Sequence, residues 1–233
     1  EVRDAQAGER AIVSALQAGA DDKQIADILF TAATDHRYLD AGHTLDFINK
    51  ALESVDKAGW DYAEFAFTSV VPNLTNSLRM EESNAWRKPI DLIEILHNAF
   101  DQLKDAIDEG QAQSVTLDFD AIVPVLLDDD PQAIVDTLLD LLRQGASFAD
   151  LAGVVAYTAA RRIAHFHTSN EFGDWDTAMH TFTFANAVHQ GLQRIDSIDL
   201  LRGVFDATMS IYLDRFLNIP SVKIPQPQPV DNP

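Results

Sequence analysis

The sequence predicts an all-α protein: a pseudo-two-fold helical bundle built from two internal repeats, followed by a proline-rich extended tail. Three observations carry this reading. Apolar residues recur at helical spacing and no long run alternates at period two, so a sheet has no pattern to build on. A block near the N-terminus returns 126 residues later. Of nine prolines, five stand in the last 14 residues, at Pro220, Pro225, Pro227, Pro229 and Pro233. Such density predicts an extended, polyproline-like segment without a core of its own.

In chain order, the first helix is expected over 4–18, with Gly19 as its stop. The second, over 22–37, carries Ile25, Ile28, Leu29 and Ala32 at the i, i+3, i+4, i+7 spacing of one helix face. Helices over 40–57, 61–79, 88–109 and 118–128 follow. Asp130-Pro131 opens the next, over 131–144, with Asp as N-cap and Pro in the first turn; Leu138, Leu139 and Leu142 form its stripe and Gly145 ends it. The last three span 148–166, 174–194 and 198–217, the final one striped by Leu200, Leu201, Val204 and Phe205. One merged domain over 1–220 is expected, because either repeat alone (about 4–110 and about 115–220) would leave apolar faces exposed. Residues 221–233 read as tail or linker.

The repeat is specific. Residues 4–33 align without gaps on 130–159, matching Asp4/Asp130, Gln6/Gln132, Ala7/Ala133, Leu16/Leu142, Gly19/Gly145, Ala20/Ala146, Ala26/Ala152 and Ala33/Ala159. The offset then becomes 137, and 43–49 aligns on 180–186 with His, Thr, Phe and Asn coinciding. The second copy thus carries 11 extra residues, expected as a loop around His167–Trp175.

Composition bounds the function. With 46% hydrophobic residues, including 13 Phe, 3 Trp and 4 Tyr, the chain can bury a sizeable core. A net charge of −20 repels nucleic acid and anionic membrane surfaces, so neither is expected as a partner. The longest apolar run, Ala121 to Leu127, is far too short to span a bilayer. No charged-then-apolar leader opens the sequence, and with no cysteine a reducing cytoplasm is the expected location. The missing cysteine also excludes a disulfide framework, a thiolate nucleophile, Cys-ligated zinc and an iron–sulfur cluster held by this chain alone. No glycine motif for a nucleotide cradle or a hydrolase elbow occurs.

What remains for chemistry is seven histidines, the carboxylates and the aromatics. His43 and His180 occupy equivalent repeat positions, each four residues before a phenylalanine, Phe47 and Phe184. Equivalent inward positions approach each other near a two-fold axis, so these two imidazoles can share a metal. The opposing reading is a pair of core histidines bonded to backbone or carboxylate. His36 and His165/His167 end the preceding helices, and at most one of the latter two faces inward from a regular helix. The candidate metal set is therefore His36, His43, His167 and His180, against helix-terminal histidines favoured by the dipole. Glu171 and Asp176 are the candidate proton carriers or ligands, and Asp40 and Asp46 flank His43. Helix capping is the simpler role for Asp40, Asp174 and Asp176, and solvated loop charge for Glu171. Phe47, Phe166, Phe182, Phe184 and Trp175 would line a cofactor or apolar-ligand cavity between the repeats. His97 reads as surface, and His189, half a turn away from His180, should stand outside the site.

Over His165-Phe166-His167-Thr168-Ser169-Asn170-Glu171-Phe172-Gly173-Asp174-Trp175-Asp176 and His180-Thr181-Phe182-Thr183, the chain resembles a bacterial all-helical domain family often fused to or associated with a Rieske 2Fe–2S domain. Leu201-Arg202-Gly203-Val204-Phe205 and Tyr212–Pro220 resemble the same family's C-terminal signature, and the likeness is closest over roughly 145–220. The His-Thr-Leu-Asp and His-Thr-Phe-Thr blocks are also similar to the histidine motifs of questin-oxidase-like helical oxygenases. The resemblance implies a metal-dependent oxidoreductase or oxygenase acting on a small molecule and supplied with electrons by a Rieske partner. Non-haem iron or another divalent metal would be the cofactor, and a homodimer is one assembly open to it. A Rieske centre needs cysteine ligands that this chain lacks, so electron transfer is not a property of this chain alone. Two other readings stand beside it: a non-catalytic module holding haem or an apolar ligand, and a helical interaction scaffold whose histidines are core residues.

Overall fold

The computed structural model describes residues 3–224. Among them are eleven α-helices and no strand: α1 Ala5–Gln17, α2 Asp22–Thr34, α3 His43–Ala58, α4 Ala63–Asn76, α5 Asn84–Arg87, α6 Leu92–Gly110, α7 Phe119–Leu126, α8 Pro131–Arg143, α9 Phe148–Ala164, α10 Phe172–Arg194 and α11 Ile198–Leu213. Short 3₁₀ turns at Leu39–Gly42, Trp60–Tyr62, Met80–Glu82 and Asp214–Asn218 join them. No helix among the described residues is long and apolar enough to cross a membrane.

Helix starts follow local chemistry. Asp4, Asp21, Asp91, Asp118, Asp130 and Ser147 each stand at an N-cap and accept from backbone N–H groups of the first turn. This satisfies donors that the helix itself leaves orphaned. The sequence places most elements within a few residues, and the departures have local causes. The helix expected over 22–37 stops at Thr34, and the one expected from 40 begins at His43, because Tyr38, Asp40, Ala41 and Gly42 take left-handed backbone angles. The element expected over 88–109 starts only at Leu92, behind the Asp91 cap. α11 ends at Leu213, where the 3₁₀ turn takes over.

α11 is the axis of the packing. From Gly203 to Tyr212 every residue is buried, so the helix is enclosed on all sides and touches α2, α6, α8, α9 and α10. Full enclosure obliges its polar groups to find partners inside. Thr208 Oγ1 donates to the Val204 carbonyl at 2.7 Å and Ser210 Oγ to the Asp206 carbonyl at 3.1 Å. Asp206 itself accepts from Arg37 Nη1 at 3.2 Å, an ion pair 1% and 5% exposed on its two sides. Around α11 sit α1 on α4, α6 on α8, α9 on α10, and α3 on both α4 and α10.

The two repeat blocks show matching local geometry. α8 begins and ends 126 positions after α1, and α9 begins 126 positions after α2. Each first helix closes on a positive-φ glycine, Gly19 at 87° and Gly145 at 86°, with the same backbone bonds on either side. The 11 extra residues do more than widen a loop. Part of them becomes the first turns of α10, which starts at Phe172, so that His180 stands inside a helix while His43 starts one.

Of the tail, only residues 221–224 are described, and they are without regular structure. Val222 is pinned twice to His165: its N–H donates to the His165 carbonyl at 2.9 Å, and its carbonyl lies 2.7 Å from His165 Nδ1. The remainder of the proline-rich segment lies outside the described residues.

Candidate functional site

The site is built where α3 meets α10. α3 is aimed by the left-handed segment before it. Tyr38, Asp40 and Ala41 have φ of 46°, 52° and 53°, a conformation that costs L-residues free energy and persists only where surroundings enforce it. The enforcing contacts are visible. Asp40 N–H donates to the Leu78 carbonyl at 2.9 Å, and Met80 N–H to the Arg37 carbonyl at 3.3 Å. Tyr38 is buried, with its ring edge-on to Phe184 at 4.9 Å and 5.9 Å from Trp86. Burial pushes the Tyr38 hydroxyl pKa up, so it stays a neutral group, 3.4 Å from Thr181 Oγ1. Gly42, at φ 92°, then lies directly against Phe184.

This brings His43 and His180 together. Their ring centroids are 4.3 Å apart with planes at 68°, an edge-to-face contact. Phe47 stacks on the outer side of His43 at 5.6 Å. Asp176 Oδ2 lies 3.5 Å from His180 Nε2, one turn away on the same helix. Asp46, half-buried, belongs to the same group: burial raises its carboxyl above the ordinary value, against the attraction of Lys50, His43 and, more weakly, His180. The His180 side chain is 30% exposed, so the pair is open to small solutes.

The recurring His-Thr step acquires a physical meaning here. Thr44 and Thr181 are both buried while the histidine before each is only partly so. Thr44 Oγ1 is 2.6 Å from Ser77 Oγ and 3.2 Å from the Asn73 carbonyl, which ties α3 to α4. Thr181 lies between Tyr38 and Asp214, a carboxylate 5% exposed that burial pushes up to about 6, against its bond to Thr181 and the charge of Arg162. Each threonine anchors its helix turn in the core, and each histidine is thereby presented at the seam.

The other predicted residues lie as follows. His36 ends beyond α2, with Nδ1 on Glu81 Oε1 at 2.7 Å, and it borders a separate cavity among α1, α2 and α4. His167, in the turn after α9, is 2.7 Å from Ser169 Oγ. Glu171 is the exposed N-cap residue of α10, where its N–H donates to Asp174 Oδ2 at 3.0 Å. Phe166 and Trp175 pack on each other at 5.0 Å beside that turn. Phe184 is buried, but Phe47, expected inside, is 45% exposed. His97 is exposed, and His189 sits against Gly153 and Gln193, its pKa lowered by burial. Among the described residues no group of three or more histidines and carboxylates is arranged to hold a metal ion. Sequence reasoning missed Arg37, Asp206 and Asp214; of these only Asp206, a charge set within the apolar run of α11, leaves a signal in the sequence.

Compared with protein-family models, curated proteins and solved structures, the chain finds no match.

Proposed function

We propose that the chain is a metal-dependent oxidoreductase domain whose metal is held at the α3–α10 seam by His43 and His180. The observation that carries this is the edge contact of two repeat-equivalent imidazoles beside two carboxylates. The donor set suits a divalent metal of the imidazole-and-carboxylate class, non-haem iron included. His43 and His180 would supply the nitrogens and Asp176 or Asp46 an oxygen, the rings turning out of edge contact to do so. In this reading His36 and His167 lie outside the ligand set, engaged by Glu81 and Ser169. A metal there would supply redox or Lewis-acid chemistry, and whichever of Asp46 and Asp176 is not a ligand would stand beside it as a candidate proton acceptor. The two halves, about 4–110 and 115–220, form a pseudo-symmetric pair meeting at this seam, and a Rieske partner, as the sequence resemblance implies, would be the electron source.

The test is metal content and stability together. Protein purified without chelator or histidine tag should carry bound iron, manganese or zinc that a His43→Ala/His180→Ala variant loses. Added metal at fixed neutral pH should raise the melting temperature of the wild type alone, since a ligand bound only by the folded state stabilises it by mass action. Absence of both effects overturns the reading.

A further inference from the structure

On the core side of the histidine contact, a chain of buried hydroxyls ends on a carboxylate. Tyr38 Oη lies 3.4 Å from Thr181 Oγ1, and Thr181 bonds Asp214. Ser210 of α11 bonds the same tyrosine hydroxyl and donates onward to the Asp206 carbonyl at 3.1 Å. Tyr38, Thr181, Ser210 and Asp214 are all buried. The chain joins both sides of the seam. Tyr38 begins the left-handed segment from which α3 and His43 start, and Thr181 follows His180 on α10.

Asp214 is only half satisfied. Its Oδ2 is buried and finds no hydrogen-bond partner among the described residues. Arg162 of α9 acts on it through charge, but Nη1 and Nη2 of that guanidinium donate to Asn218 Oδ1 at 3.2 Å and to the Leu127 carbonyl at 3.3 Å. Arg215, beside Asp214 in the 3₁₀ turn, stacks on Tyr212 and lies 3.5 Å from Asp129. From α10 and α11 the groups brought to this chain are Thr181 and Ser210, which carry no charge. Burial disfavours an ionised carboxyl with an orphaned oxygen and pushes this one up to about 6, so mild acid protonates it. The two forms dictate opposite hydrogen-bond directions. An ionised carboxylate only accepts, so Thr181 donates to it and Tyr38 donates to Thr181. A protonated carboxyl can donate to Thr181, which then donates to Tyr38, and Tyr38 to Ser210.

We propose that Asp214 is a proton-operated positioning residue for the seam: gain or loss of its proton reverses the Asp214–Thr181–Tyr38 chain and so resets how α10 and the start of α3 present His180 and His43. The charged hydrogen bond to the ionised form is the stronger one, so Thr181 and Tyr38 are drawn toward Asp214 above the transition and released below it. This concerns the two imidazoles as they stand without metal, and it does not rest on the metal reading.

Trp86, buried and 5.9 Å from the Tyr38 ring, reports on the chain from inside. In the full chain carrying Trp60→Phe/Trp175→Phe, with a chelator present, Trp86 emission should show a one-proton step between pH 7.5 and 5, centred at about 6. Adding Asp214→Asn should abolish the step. Thr181→Val keeps the carboxyl but removes the hydroxyl through which it acts, and should abolish it too. His43→Ala/His180→Ala should retain the step, as should Asp206→Asn, the other buried carboxyl bonded to the Tyr38 segment. At pH 7.5 the neutral amide of Asp214→Asn should also shift the His43 and His180 ring resonances in NMR spectra. Circular dichroism establishes that each variant is folded, and Thr181→Val serves should Asp214→Asn fail to fold. No step in the parent, a step that survives Asp214→Asn or Thr181→Val, a step lost with the histidines or with Asp206, or unshifted histidine signals overturns the proposal.

Discussion

Gly42 is the most constrained residue of the seam. Its φ of 92° disfavours any side chain, and a Cβ there would stand 2.7 Å from Phe184 Cβ and 3.0 Å from the Tyr38 ring. Both objections act at once, so Gly42→Ala should cost about 2 kcal/mol or more in urea denaturation. It should also disturb the histidine contact: the His43 and His180 ring resonances should shift in NMR spectra of the variant. An alanine variant with wild-type stability and unshifted histidine signals would show that the segment is not held as described. At this scale the sequence was only partly legible. The recurring His-Thr step in the sequence singled out His43 and His180 together, and their rings do lie in contact. That Tyr38 and Ala41 would accept left-handed angles could not, since neither residue prefers them and only contacts from distant elements impose them.

Between elements, the buried Arg37–Asp206 pair links the end of α2 to the middle of α11. Burial pushes the Asp206 carboxyl up to about 6, outweighing the attraction of Arg37, with Glu81 adding to the rise. Arg37 Nη2 also donates to the Thr34 carbonyl, so the guanidinium closes the C-terminus of α2 as well as meeting the carboxylate. Removing one partner leaves the other charge buried and unpaired: Arg37→Met should cost about 3–5 kcal/mol by urea denaturation. Replacing both, as Arg37→Met/Asp206→Leu, should recover most of that loss. A double variant no more stable than the single would mean that the pair is not the source of the cost. Helix limits such as those of α1 and α8 were legible because Asp caps and glycine stops are local. This ion pair was not, because its two residues are 169 apart and each alone reads as a surface charge.

For the whole molecule, acidity has two consequences of known sign. A net charge of −20 opposes the compact state through self-repulsion, so added salt should raise the melting temperature at neutral pH. Asp206 and Asp214 act in the same sense as mild acid. Both have folded-state values of about 6 against an ordinary 3.8, so the folded protein takes up protons there before the unfolded chain does. The stability they contribute is complete below about 3.8 and lost as pH rises through about 6. Lowering pH from 7.5 to 5.5 should therefore favour folding through these two groups. Asp214→Asn should show a smaller change in melting temperature over that interval than the wild type, measured by scanning calorimetry in matched salt. An identical slope would place Asp214 in a more solvated setting than its 5% exposure describes.

The segment Tyr38–Gly42 faces two ways. Leu39 lines the cavity among α1, α2 and α4, while Gly42 fixes the first turn of α3 and hence His43. Ser77 repeats the arrangement, bordering the same cavity while bonding Thr44 one residue beyond His43. A displacement of Leu39 or Ser77 would therefore reach the first turn of α3, on which His43 stands. Such coupling is reciprocal: a shift imposed on the first turn of α3 would bear equally on Leu39 and Ser77. A backbone held in left-handed angles by its neighbours is well suited to carry it, because relaxing one bond of the set releases free energy that a uniformly comfortable loop would not contain.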